Sequence, residues 1–104
     1  MNYGTTTLGQ NSSTITQVEF GSSPQSTTLA SGAAYGITIN FTNGFPGTPI
    51  VLVSINMTGS SSVYWDQCSI QCYSVSSTGF QATIRNLTAS TASGTFNIVY
   101  SAFY

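Results

Sequence analysis

The stretch Tyr73-Ser74-Val75-Ser76-Ser77-Thr78-Gly79-Phe80 lies between two segments that alternate apolar and polar residues. Upstream, Cys68, Ile70 and Cys72 fall on one face, while Trp65, Gln67, Ser69, Gln71 and Tyr73 fall on the other. Downstream, Phe80, Ala82 and Ile84 resume the apolar face. A period of two marks a half-buried strand, so the octapeptide reads as the turn region of a β-hairpin. Gly79 sets its register, and Phe80 opens the returning strand with a large apolar anchor.

Working outward, the same period recurs. Ile15 to Phe20 is a candidate strand with Val18 and Phe20 on one face, and Gly21 to Ser26, with Pro24, reads as a loop. Tyr35, Ile37, Ile39 and Phe41 alternate with Gly36, Thr38 and Asn40. Asn43-Gly44 and Pro46-Gly47 then punctuate a turn. Ile50 to Ile55 is nearly all apolar, as a strand covered on both faces would be. Thr58–Ser62 and Leu87–Gly94 read as loops. Phe96, Ile98, Tyr100, Ala102 and Tyr104 oppose Asn97, Val99, Ser101 and Phe103 in a closing strand. No segment sustains a helical period, and β-branched residues dominate. The expected fold is all-β: an antiparallel β-sandwich of about six strands over residues 14–104, preceded by a linker-like segment, 1–13.

Charge is the anomaly of the composition. Glu19, Asp66 and Arg85 are the only charged side chains, 3% of 104 residues, where ordinary domains carry about a quarter. Serine and threonine, 33 residues, supply the polar surface instead. One arginine cannot neutralise a run of phosphates, so nucleic acid is excluded as a partner. A basic membrane patch fails on the same count, and no stretch approaches the roughly 20 apolar residues of a membrane span. The first residues have neither the basic nor the apolar region of a signal peptide. A neutral surface rich in hydroxyls and amides suits an uncharged, hydroxylated partner, with sugars first among them.

Catalysis finds little to work with. Without histidine or lysine there is no triad and no Schiff-base lysine. Glu19 and Asp66 would have to form any carboxylate pair, and they lie in unlike contexts. The chain is therefore read as a non-enzyme with no cofactor and no metal site. Cys68 and Cys72, four residues apart on one strand, are separated by ~13 Å. Disulfides stop near a Cα separation of ~7 Å, so both read as free thiols on the core face. Reduced cysteines suit synthesis in a cytoplasm, as for a virion component.

From the aromatic run Phe41-Thr42-Asn43-Gly44-Phe45-Pro46 into Ile50–Ile55, through Tyr-Ser-Val-Ser-x-Thr-Gly-Phe at 73–80, to the closing aromatic strand, the chain resembles the H-type lectin domain. That is the small sandwich of snail agglutinins and discoidins, which also occurs at the tips of phage tail fibres. The resemblance spans Ala34 to Tyr104. It implies a carbohydrate- or receptor-binding head on a tail fibre or similar adhesin, located on the virion, with an extracellular lectin as the alternative location. It also implies a homotrimer with sugar held at the subunit boundary. A structural cap that trimerises a fibre and binds no ligand is the alternative function.

Aligned on Tyr73 and Phe80, the family's basic sugar-binding position falls on Gln67, and its aromatic–histidine pair falls on Leu87-Thr88. Its acidic loop residue falls between Thr28 and Gly32, where there is no carboxylate. None of these residues is kept in kind, so the family's N-acetylgalactosamine specificity is not expected. The candidate ligand-binding residues are Trp65, Asp66, Gln67, Arg85, Leu87 and Thr88, facing a neutral cell-surface glycan. Apolar residues on both faces of the closing strand point to an interface. Gln71, Tyr73, Val99 and Phe103 are its candidate residues.

Overall fold

The computed structural model describes residues 6–8, 13–57 and 64–104. Its eight strands are β1 (Thr6–Leu8), β2 (Ser13–Ile15), β3 (Val18–Leu29), β4 (Ala34–Asn40), β5 (Ile50–Met57), β6 (Ser69–Tyr73), β7 (Gly79–Arg85) and β8 (Ala92–Phe103). β1 and β2 pair as a two-stranded ribbon, and the other six form two antiparallel sheets, ordered β3–β8–β5 and β4–β7–β6. The expected six-stranded sandwich is therefore present. Among the described residues the only helical element is a single 3-10 turn, Trp65–Gln67.

The inner faces follow the alternation read from the sequence. Ile39, Phe80, Ala82 and Ile84 of one sheet meet Val51, Phe96, Ile98 and Ala102 of the other in one buried cluster. Phe41, Phe45, Phe80 and Tyr100 close one end of it, with ring centroids 5.0–6.0 Å apart in edge-on or tilted contacts. The hairpin is as expected, with Tyr73 opposite Gln81 across β6 and β7. Gly79 is irreplaceable for a packing reason: a Cβ there would collide with the Ile39 carbonyl on β4.

Three local expectations are corrected. The segment Gly21–Ser26 is not a loop but the middle of β3, a 12-residue strand. Pro24 is tolerated because β3 is an edge strand, where a missing N–H can face away from the ladder. Gly21 lies opposite Tyr100, whose ring covers it so closely that a Cβ would clash with the ring. β5 is not covered on both faces: Val51 is buried, whereas Ile50 and Leu52 are 67% and 60% exposed. The closing strand begins at Ala92, inside the segment read as a loop. The loop expected at Thr58–Ser62 lies outside the described residues, as does part of the 1–13 segment.

The two sheets are tied together beyond their core. Glu19 on β3 accepts hydrogen bonds from the N–H groups of Thr42 (3.0 Å) and Asn43 (3.3 Å), just past β4, and from the Tyr100 hydroxyl (2.8 Å). Partial burial pushes the Glu19 carboxyl up, but these three donors outweigh it and hold the carboxyl below its ordinary value. Tyr100, desolvated and bonded to that carboxylate, is pushed up to about 12.

Candidate sugar site at the loop end of the sandwich

The strand ends gather the expected site residues unevenly. β4 starts, β6 starts and β7 ends at the same edge of one sheet, where Ser69 and Ala34 flank Arg85. Gln67, in the 3-10 turn before β6, and Leu87, past the end of β7, each lie two residues from this row in sequence. Gln67 is exposed and Leu87 is 67% exposed. Arg85 donates from Nη1 to the carbonyl of Gly32 (3.1 Å), which fixes the guanidinium against the β3–β4 turn. Gly32 takes φ +75° there, a conformation that glycine adopts without strain.

Asn86 organises this end, and it is the only polar residue in the fully buried set among the described residues. Its amide donates to the carbonyls of Leu29 (2.9 Å) and Ser90 (2.8 Å). Its oxygen accepts from the Thr88 N–H (2.9 Å) and faces the Thr88 hydroxyl at 2.6 Å. Its backbone bonds Ala33 and Gly32 across the gap, and Ser31 Oγ donates to the Thr88 carbonyl. A buried amide satisfied on every side is costly to disturb, so the Leu29–Ala33 turn and the 86–90 loop form one rigid unit. The sequence carried a signal for it: in Asn86-Leu87-Thr88 the asparagine side chain bonds the backbone two residues on, as in an Asx turn.

Trp65 is not part of an exposed platform. It is fully buried, stacked on Phe96 at 4.2 Å, with Nε1–H donating to the Ser93 carbonyl at 2.9 Å. The alternation that put it outside assumed one continuous strand from 65 to 74. Tyr64 at φ +68° and the 3-10 turn break that strand and rotate Trp65 inward, beneath the loops it was expected to flank. The side chain of Asp66 lies outside the described residues. From Cys68 onward the expected facing holds: Cys68, Ile70 and Cys72 pack against the core, and no disulfide joins the two cysteines.

Of the candidate residues, then, Gln67, Arg85, Leu87 and Thr88 share one end of the molecule, and Trp65 is buried in the core against Phe96. The interface candidates do not share a face. Gln71 and Tyr73 stand on the outside of β4–β7–β6, whereas Val99 and Phe103 stand on the outside of β3–β8–β5. Pairing sets the neighbours along β8: Val18 and Ile50 flank Phe103, Phe20 and Leu52 flank Ser101, and Ser22 and Ser54 flank Val99. Glu19 sits at the other end of β3, ten residues or ~33 Å of strand from Leu29. Its hydrogen bonds to Thr42, Asn43 and Tyr100 are those of a structural tie.

No curated protein sequence matches the chain. Among solved structures, it is similar to an N-truncated R1-type pyocin tail fibre, at a TM-score of 0.64 and 18% identity over 90% of this chain and 75% of that one. At that identity the likeness is one of fold. The sequence pattern of the H-type lectin domain matches residues 37–103, from β4 to the last strand. With that match and a six-stranded sandwich around it, the chain belongs to the H-type lectin domain family.

Proposed function

We propose that this domain is a carbohydrate-binding module of a tail-fibre-like adhesin, acting as a homotrimer on a virion or related particle. The observation that carries the reading is the loop end of β4–β7–β6. Asn86 locks two loops into one unit beside Gln67, Arg85, Leu87 and Thr88, the end where the family holds its sugar. A site fixed in advance loses little ordering entropy on binding. Arg85 retains donors beyond the one given to Gly32, and Gln67 offers both a donor and an acceptor. The ligand class is a neutral cell-surface glycan, since the chain carries a formal net charge of −1 and a single cation.

The trimer is supported by the outer face of β3–β8–β5. Phe20, Ile50 and Leu52 are 60–73% exposed, side by side with Val18, Val99 and Phe103. A contiguous apolar face of this kind marks an interaction surface, and copies of the same chain satisfy it on a fibre axis. Three modest sites held on one tip reinforce one another through effective concentration.

A glycan array probed with the purified domain tests the function. Binding to a defined set of neutral glycans, lost in the Gln67→Ala/Arg85→Ala double variant with the trimer intact, is the expected result. The substitution of all the family's sugar-binding residues favours a second reading, a trimeric cap without a ligand. A stable trimer that binds no glycan and no cell surface would establish the cap instead.

A further inference from the structure

We propose that the outer face of β4–β7–β6 is an extended track for a neutral oligosaccharide chain. The track runs from the Gln67–Leu87 end, across Gly36, toward the hairpin. This rests on the carbohydrate-binding reading above and extends it from one sugar to several.

Strand register builds the track in rows. Gln71, Thr83 and Gly36 follow the Ser69–Arg85–Ala34 row, and Tyr73, Gln81 and Thr38 come next. From Arg85 to Gln81 the distance along β7 is ~13 Å. Beyond them Thr38, Asn40, Ser76, Thr78 and Gln81 line a shallow concavity of about 170 Å³. Past Arg85, no position of these rows bears a charge, which suits a neutral polymer and gives an anionic one nothing to pair with. Glutamine amides and threonine hydroxyls both donate and accept, as sugar hydroxyls require. Tyr73, 46% exposed, adds an aromatic face for the apolar side of a sugar ring.

Gly36 separates this surface from an ordinary solvated face. The other strand glycines have a reason within the chain: Gly21 makes room for the Tyr100 ring, Gly79 for the Ile39 carbonyl, and Gly94 takes φ +96°. A Cβ on Gly36 would meet only the Ala82 carbonyl oxygen, at 4.0 Å, and its φ does not lie in the left-handed region. The chain's own packing thus tolerates a side chain here, and a glycine inside a strand weakens it. The β4–β7 register runs unbroken through Gly36, so no bulge accounts for it, and close approach of an outside group is the remaining role of a strand glycine that this site suits. It leaves a gap in the floor of the track, bordered by Thr83 across the pair and by Ala34 and Thr38 along β4.

The test compares the intact domain with Gly36→Val, which suits a strand and fills the gap, and with Tyr73→Ala. The probe is an array of neutral oligosaccharides in series of one to six sugars. The unaltered domain should bind longer members more tightly. Both variants should lose about tenfold of that gain, the worth of one or two hydrogen bonds, while keeping monosaccharide binding. Gly36→Val should melt no lower than the unaltered domain, which separates a blocked track from a damaged fold. Monosaccharide binding without any gain from chain length overturns the track and leaves the proposed function standing. Full-strength binding of long chains by both variants also overturns it. An array on which the unaltered domain binds nothing overturns the carbohydrate-binding reading and the track together.

Discussion

On the outer face of β3–β8–β5 stand Val18, Phe20, Ile50 and Leu52; on the outer face of β4–β7–β6 stand Thr38, Gln71, Gln81 and Thr83. Both sheets have three antiparallel strands, and both send alternate residues into the same core. Their outward positions are free of that core, so their contrast reflects what each face meets outside the chain. An apolar outer face costs solubility unless something covers it. A hydroxyl and amide face has no such need. One sandwich thus presents a surface suited to association and, on the reverse, a surface suited to a hydroxylated ligand.

The contrast is most open to breaking by charge. Phe20→Asp combined with Leu52→Asp should abolish the proposed trimer, whereas Gln71→Asp combined with Thr83→Asp should leave it intact. Light scattering at micromolar concentration distinguishes them. Equal effects from both pairs would remove the assignment of the faces. The next largest effect lies where the sheets are joined. Trp65→Ala removes the stack on Phe96 and the bond to Ser93, and should cost about 3–5 kcal/mol in thermal or denaturant unfolding. A loss below about 1 kcal/mol would return Trp65 to the surface.

At the other end of the sandwich, Glu19 and Tyr100 form a smaller tie with a pH signature. The Glu19 carboxyl is held below its ordinary 4.5, so its contribution is complete above that pH and is lost as pH falls through the lowered folded value. Tyr100 is raised from 10.0 to about 12, so its contribution is complete below pH 10 and is lost as pH rises toward 12. Tyr100→Phe should cost about 1 kcal/mol, discounted for the exposure of Glu19, and should remove the loss between pH 10 and 12. Melting curves across both ranges check it. The smallest effect concerns salt. With three charged side chains, trimer stability should not change between 0.05 and 0.5 M sodium chloride, because screening has almost nothing to act on. Dissociation in that range would mean that the apolar face is not what holds the copies together.

Much of this architecture is legible in the sequence alone. Tyr35–Phe41, Phe80–Ile84 and the closing strand alternate so cleanly that only one face of each can be core. The hairpin at 73–80 was readable for the same reason. Pro24 misled, because proline argues against a strand in general but not against an edge strand, and edge position is a property of the sheet. Trp65 misled because alternation was extended back from Ser69 to Trp65, across a 3-10 turn entered at Tyr64 with a positive φ that no local pattern announced. Of the candidate site, Gln67, Leu87 and Thr88 follow from the resemblance, and Arg85 from its chemistry as the one cation. The role of Asn86 as the buried link between two distant loops had only a local hint.

The sequence by itself determined the fold class, the inward faces of the central strands and the scarcity of charge, since composition and a period of two need no long-range information. Only the tertiary structure decided which outer residues share a surface. Val99 and Phe103 stand with Phe20 and Leu52, and Gln71 and Tyr73 with Gly36, because cross-strand pairing joins residues that are distant along the chain. It alone turned Trp65 inward and buried Asn86 between two loops, since each depends on partners 28 to 57 residues away. Alternation states which side of a strand is wet; strand order states which wet residues become neighbours.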